Sequence, residues 1–254
     1  WHGDRARLQA AVQAQTRLQQ RLSVVPALRL NARQAEAWEA AAAGDLERAV
    51  AFERRALQAL DELGVPGLTA TWRRATTHNL VHFFWMARDL EAMRELWPYL
   101  SPQPSAVEWP FLNTARAQLR GQIALLEGDL AAAEAALLEA ETLQRAWPMP
   151  TFIGDVRVTL AWLRLQQQNP REAWQVLQPV LERCRQEDSL GLLLTSPAFV
   201  VDPLLALVPA DQRAVLQPLL LRLQAWRSTP AEAVEQVPTL PLVLQELSER
   251  EREV

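Results

Sequence analysis

An all-α fold is what this chain of 254 residues predicts, and three observations carry the prediction. Ala, Leu, Gln, Glu and Arg dominate, while the 8 glycines, the single Tyr and the few β-branched runs leave little to build strands from. Apolar residues recur at helical spacing: Leu130, Ala133, Leu137 and Ala140 form one stripe, with Glu134, Glu139 and Glu141 on other faces. Four short junctions share one pattern, Gly44-Asp45-Leu46, Arg88-Asp89-Leu90, Gly128-Asp129-Leu130 and Gln168-Asn169-Pro170. Their second residues lie 44, 40 and 40 apart, and each is followed four residues on by Ala49, Met93, Ala133 or Ala173. A weaker copy, Gly3-Asp4, lies 41 residues before Asp45.

The chemistry of a junction explains its composition. Gly or a polar residue ends one helix in a tight turn, Asp or Asn caps the next, and the small residue one turn on lets two helices approach, giving a helical hairpin. Breakers fall between hairpins at Gly64-Val65-Pro66-Gly67, Ser101-Pro102-Gln103-Pro104 and Trp147-Pro148-Met149-Pro150. Helices are therefore expected, in order, over 4–23, 27–43, 45–62, 68–87, 89–100, 109–127, 129–146, 151–168, 171–187, 197–208 and 210–226. One hairpin cannot cover its own apolar stripe. Stacking successive hairpins covers it, so the expected architecture is an α-solenoid with a period of about 40 residues over 1–226. Pro230, Pro238 and Pro241 break the pattern and mark 227–246 as a linker with a short final helix.

Composition narrows the function. Apolar residues make up 49%, enough for a sizeable core, and the net charge of −4 is spread among interspersed acids and bases, so no overall basic surface tracks phosphates. All 26 basic residues are Arg. The absence of Lys excludes a complete Walker A loop, a Schiff-base lysine and a lysine general base within the chain. His-Glu-x-x-His, Gly-x-Ser-x-Gly, Cys-x-x-Cys and a Gly-rich phosphate turn are absent as well, which argues against an enzyme and names no cofactor. Cys184 alone cannot form an internal disulfide, and no leader or long apolar run appears, so a cytoplasmic protein without membrane contact is expected.

The string Leu247-Ser248-Glu249-Arg250-Glu251-Arg252-Glu253-Val254 carries a capping box, with Ser248 as N-cap and Glu251 three residues later. It resembles the opening of LuxR-type DNA-binding domains, whose first helix begins Leu-Ser/Thr, one variable residue, Arg-Glu, another variable residue and Glu-Val. The hairpins resemble tetratricopeptide repeats, with Gly then Ala five later in Gly44…Ala49 and Gly128…Ala133, although their period exceeds the ordinary thirty-four. Together these features are similar to the sensor region of MalT-like regulators of the LuxR family. The resemblance implies an effector, either a small molecule or a regulatory protein, taken up by the repeats. It also implies DNA contact only through a C-terminal domain of which 247–254 is the start. Such regulators carry an ATPase before the repeats; this chain opens at Trp1-His2-Gly3-Asp4, apparently inside a repeat, as an excised fragment or a shorter regulator would. A homodimer is compatible with this reading.

In such solenoids the first helix of each hairpin lines the concave face. Six residues before the junction stand Trp38, His82, Gln122 and Trp162; ten before it stand Gln34, His78, Gln118 and Val158; three before it stand Ala41, Trp85, Leu125 and Leu165. Trp38, His78, His82, Trp85, Gln118, Gln122 and Trp162 are thus the candidate ligand-binding residues of the groove. Rings beside amides and imidazoles suit a neutral polar ligand such as a sugar or peptide. Tryptophans in a helical chain more often pack between repeats. His78 and His82 at i, i+4 lack an acidic third ligand, so no metal site is expected. Arg54-Arg55 and Arg73-Arg74 read as solvated faces or inter-repeat ion pairs, and Cys184 as a buried thiol. Two functions compete: a regulatory sensor that controls an adjacent DNA-binding domain, and a protein-interaction scaffold that binds no small molecule.

Overall fold

The computed structural model describes residues 5–21, 26–60, 66–100, 110–146 and 154–228. These form helices α1 (Arg5–Arg21), α2 (Pro26–Ala42), α3 (Leu46–Leu60), α4 (Pro66–Ala87), α5 (Leu90–Leu100), α6 (Pro110–Glu127), α7 (Leu130–Ala146), α8 (Val156–Gln166), α9 (Pro170–Gln186), α10 (Gly191–Leu194), α11 (Ala198–Leu205) and α12 (Ala210–Ser228). The fold is all-helical, as expected. Helix α12 extends two residues into the expected linker; the rest of that linker, the string 247–254 and Gly3-Asp4 lie outside the described residues.

The four junctions have one hydrogen-bonding pattern. One residue just past each helix has positive φ: Gly44 at 85°, Arg88 at 59°, Gly128 at 79° and Gln168 at 59°. Its N–H donates three residues back, to Ala41, Trp85, Leu125 and Leu165, and the next N–H donates five back, to Ala40, Phe84, Ala124 and Arg164. This double bond pair satisfies the orphan carbonyls of a helix end. The residue that makes the second bond also caps the next helix: the Oδ1 of Asp45, Asp89, Asp129 and Asn169 accepts from the N–H of Arg48, Ala92, Ala132 and Glu172. One turn therefore closes one helix and opens another with no spare residue. Ala49, Met93, Ala133 and Ala173, one turn on, are all fully buried where the paired helices meet.

Successive helices pack on one another, α2 on α3, α4 on α5, α6 on α7 and α8 on α9, and each pair packs on the next. Between α6 and α7 the approach is close enough that a Cβ on Gly121 would stand 2.6 Å from Leu137 Cγ. The principal core runs continuously from Val81 on α4 to Trp226 on α12, while α2 and α3 contribute smaller clusters around Ala37, Ala49 and Phe83 and around Leu30, Ala56 and Leu60.

Two features depart from the sequence reading. Helix α8 begins at Val156 rather than 151, because Gly154 turns the chain at φ 93° and Asp155 caps the helix through the Arg157 N–H. The four-residue α10, which the sequence reading left within a connection, buries Leu192, Leu193 and Leu194, and α11 adds Val200, Val201 and Leu204. α11 packs across α8 and α9. At the far end, Trp226 Nε1 donates to the Ala42 carbonyl at 3.0 Å, so the last helix reaches the end of α2. Among the described residues no helix is long and apolar enough to cross a membrane.

Candidate functional site

The candidate residues stand on α2, α4, α6 and α8, the first helix of each pair. They form a polar and aromatic row that is buried except for the half-buried Trp38. Trp38 stacks edge-on against Phe83 at 4.9 Å between centroids and lies 5.8 Å from the His82 ring. Trp85 and Trp162, on α4 and α8, meet at 5.7 Å. His78, His82, Gln118 and Gln122 are buried together with Thr76, Thr114 and Thr159 from the same helices.

Residues 195–199 cover this row, so it is not an open groove. His82 Nε2 donates to the Thr195 carbonyl at 2.7 Å, and the Phe199 ring packs edge-on against both Trp85 (5.2 Å) and Trp162 (5.5 Å). Arg88 closes the other side, its guanidinium carbon 5.0 Å from the Phe199 centroid. Two tryptophan rings and one cation therefore surround the Phe199 side chain, which lies more than thirty residues beyond Trp162 in sequence. Gly154 is fitted to the same segment: a Cβ there would meet Thr195 Oγ1 at 2.5 Å, so only glycine fits, and its φ of 93° points the same way.

The two imidazoles are neutral at physiological pH. Burial lowers the His78 pKa to about 4, outweighing the hydrogen bond its Nδ1 donates to the Arg74 carbonyl at 2.7 Å. Burial lowers His82 to about 4 as well, against the Thr195 carbonyl and the neighbouring Gln122 amide. Each histidine thus spends one ring N–H on a backbone carbonyl, and the other nitrogen, His78 Nε2 with the Leu112 carbonyl near the ring or His82 Nδ1 with the Gln122 amide near the ring, is buried without a hydrogen bond of good geometry. Neither amide atom of Gln122 has hydrogen-bond geometry to a partner. These unspent groups give the row capacity for directional bonds to a neutral polar group. Among the described residues, no group of three His, Cys, Asp or Glu side chains is placed to hold a metal ion. Cys184 is buried, and burial, then the nearby Asp155 charge, pushes its thiol up to about 12, which keeps it protonated and unreactive.

Sequence reasoning missed several contributors. Thr195 and Phe199 carry no motif, and their role comes from where α11 crosses. Arg88 did carry a signal: it takes the left-handed position that Gly44 and Gly128 occupy in equivalent turns, a conformation that costs a side chain about 1 kcal/mol. Its stacking on Phe199 offsets that cost. Glu53 on α3 is fully buried, and Asn79 Nδ2 donates to its Oε1 at 2.6 Å. The two atoms left over, Glu53 Oε2 and Asn79 Oδ1, complement each other once the carboxyl holds a proton. Burial pushes Glu53 up to about 8, against the opposing Asn79 hydrogen bond, so the proton is held at neutral pH and the two side chains pair as acid and amide.

No protein-family model and no curated protein matches the chain.

Proposed function

We propose that this chain is a regulatory sensor and interaction region, an α-solenoid of tetratricopeptide-like hairpins of the kind that precedes a LuxR-type DNA-binding domain, acting in the cytoplasm without catalysis of its own. Supporting the architecture are the four turns of identical hydrogen bonding at 44, 88, 128 and 168, as the sequence spaces them, with a buried residue at the same place after each. Supporting the site is one observation above the rest: Trp38, His82, Trp85, Gln122 and Trp162 come from four different helices to one face, with neutral imidazoles and an unspent amide among the rings.

The occupant of that face indicates the class of effector. A peptide carbonyl sits on His82 and an aromatic side chain sits between Trp85, Trp162 and Arg88, so the chemistry in place recognises polypeptide. This favours a protein or peptide effector over a sugar. Such an effector acts by preferring one arrangement of residues 190–208 over another, since a ligand shifts an equilibrium only by its unequal affinity for the two states. Capture from cell lysate with the wild-type chain and with Trp85→Ala, followed by titration of each captured protein, tests this. A partner bound by the wild type and lost in the folded variant supports it. A panel of sugars and small metabolites that raises the melting temperature, with no protein captured, moves the reading to a small-molecule sensor. Indifference to both classes removes the inner face as an effector site.

A further inference from the structure

Outside the inner face, a cavity of about 450 Å³ lies between α7, the first turn of α8 and α9. Its charged lining is three arginines, one from each helix, Arg145, Arg157 and Arg183, against one acid, Glu141. Gln144 and Gln175 add amides, and Val156, Val176 and Pro179 supply an apolar wall. Like charges drawn around one cavity repel one another, and an anion placed among them relieves that repulsion.

Arg157 is held in place for such a contact. The fully buried Asp155 caps α8 by accepting from the Arg157 backbone N–H, and the same carboxylate takes one side of the Arg157 guanidinium, from Nε at 3.0 Å and from Nη2 at 2.6 Å. That uses two of the five N–H groups of the guanidinium; the other three, on Nη1 and Nη2, include the outer pair of the fork, which matches a second carboxylate or a phosphate. The flanking arginines are also only partly used. Arg145 Nη2 donates to Glu141 at 2.7 Å, and Arg183 Nε donates to Glu187 at 2.8 Å. Gln144 Oε1 accepts from the Val156 N–H at 3.0 Å, which leaves its amide NH₂ as a donor. Among the described residues, none accepts from the remaining N–H groups of Arg145, Arg157, Arg183 and Gln144.

We propose that this cavity binds a small organic anion, whose carboxylate or phosphate docks on the outer fork of Arg157 between Arg145 and Arg183 while its carbon body lies against Val156, Val176 and Pro179. Asp155 is a positioning residue, since it holds Arg157 and is itself shut off from the cavity by burial. The apolar wall favours an anion with a carbon body over a bare inorganic ion. The proposal does not depend on the effector reading, because none of the inner-face candidates lines this cavity.

Isothermal titration calorimetry of the chain with succinate, citrate and glycerol 3-phosphate tests it, with inorganic phosphate as the anion that has no carbon body. At least one organic anion is expected to bind with a Kd of about 1 mM or tighter, and at least about tenfold more tightly than inorganic phosphate. Preference for the two carboxylates or for the phosphate ester then identifies the head group. Arg157→Gln is expected to weaken that binding at least about tenfold, whereas Arg120→Gln, which removes the same charge from α6 outside the cavity, leaves it unchanged. Should Arg157→Gln fail to fold because Asp155 loses its partner, Arg183→Gln decides, with an expected loss of about fivefold at a side chain that is 35% exposed. No binding of any organic anion up to about 10 mM overturns the proposal. So do equal losses in the α6 variant and the cavity variant, or inorganic phosphate binding as tightly as the organic anions.

Discussion

The four helix-to-helix turns and the face that the first helices share obey different rules. At every turn the same two carbonyls, the same left-handed residue and the same side-chain cap recur, although the left-handed position is Gly twice, Arg once and Gln once. On the inner face the equivalent positions hold Trp38, His82, Gln122 and Trp162, and their contacts all differ. A turn is stabilised by atoms within five residues, so several side chains can serve. The inner face is stabilised by what crosses it, and Phe199 crosses it once. Local structure is thus interchangeable between these turns, while each tertiary contact is specific to its place.

Phe199→Ala sets this difference at its widest. Removing a ring packed against Trp85, Trp162 and Arg88 is expected to cost about 3 kcal/mol in urea unfolding, with far-ultraviolet circular dichroism of the native state unchanged because no turn is touched. A loss below 1 kcal/mol would show that this packing contributes little to stability.

The pH dependence follows next, since the buried titratable groups pull in opposite directions. Glu53 has a folded pKa of about 8 against an ordinary 4.5, so its contribution is full below pH 4.5 and is lost as the pH rises to 8. His78 and His82, lowered from 6.5 to about 4, contribute fully above pH 6.5 and lose their contribution as the pH falls to 4. Stability therefore peaks near pH 6.5 and falls by roughly 2 kcal/mol on going to pH 8. Glu53→Gln keeps an amide oxygen for the Asn79 Nδ2 hydrogen bond with no proton to lose, and denaturant melts of this variant are expected to be flat over that range. An alkaline decline as steep as the wild type's would assign it to another group.

Smaller effects separate the helix crossings from the turns. Gly121→Ala forces the Leu137 side chain aside and is expected to cost about 1–2 kcal/mol, visible as a lower melting temperature. Asp129→Ala removes one cap and is expected to cost about 1 kcal/mol. Asp45→Ala and Asp89→Ala should agree with it within a few tenths, because their bonds are the same. A spread as wide as that between Phe199→Ala and Gly121→Ala would mean that the turns are governed by their surroundings after all.

The helices were legible because their ends carry their own instructions. Asp45, Asp89, Asp129 and Asn169 mark the starts of α3, α5, α7 and α9, and the residue one turn later marks the crossing; breakers bound most of the others, and α8 starts five residues later than expected. Helix α10 was not legible: four residues are too few for a period, and it exists because Leu192, Leu193 and Leu194 have a core to enter. The candidate residues stand on α2, α4, α6 and α8, but nothing local to Trp85 or His82 announces that Thr195 and Phe199 lie on them.

By itself the sequence determined the helical class, the register of the paired helices and the turns between them, since those depend on hydrogen bonds spanning three to five residues. Only the tertiary structure decided that the inner row is covered, that Glu53 keeps its proton against Asn79, and that α12 reaches back to Ala42. Those contacts join residues 113, 26 and 184 positions apart, and they form because apolar surface left bare by one helix is buried by whichever segment of the chain can reach it.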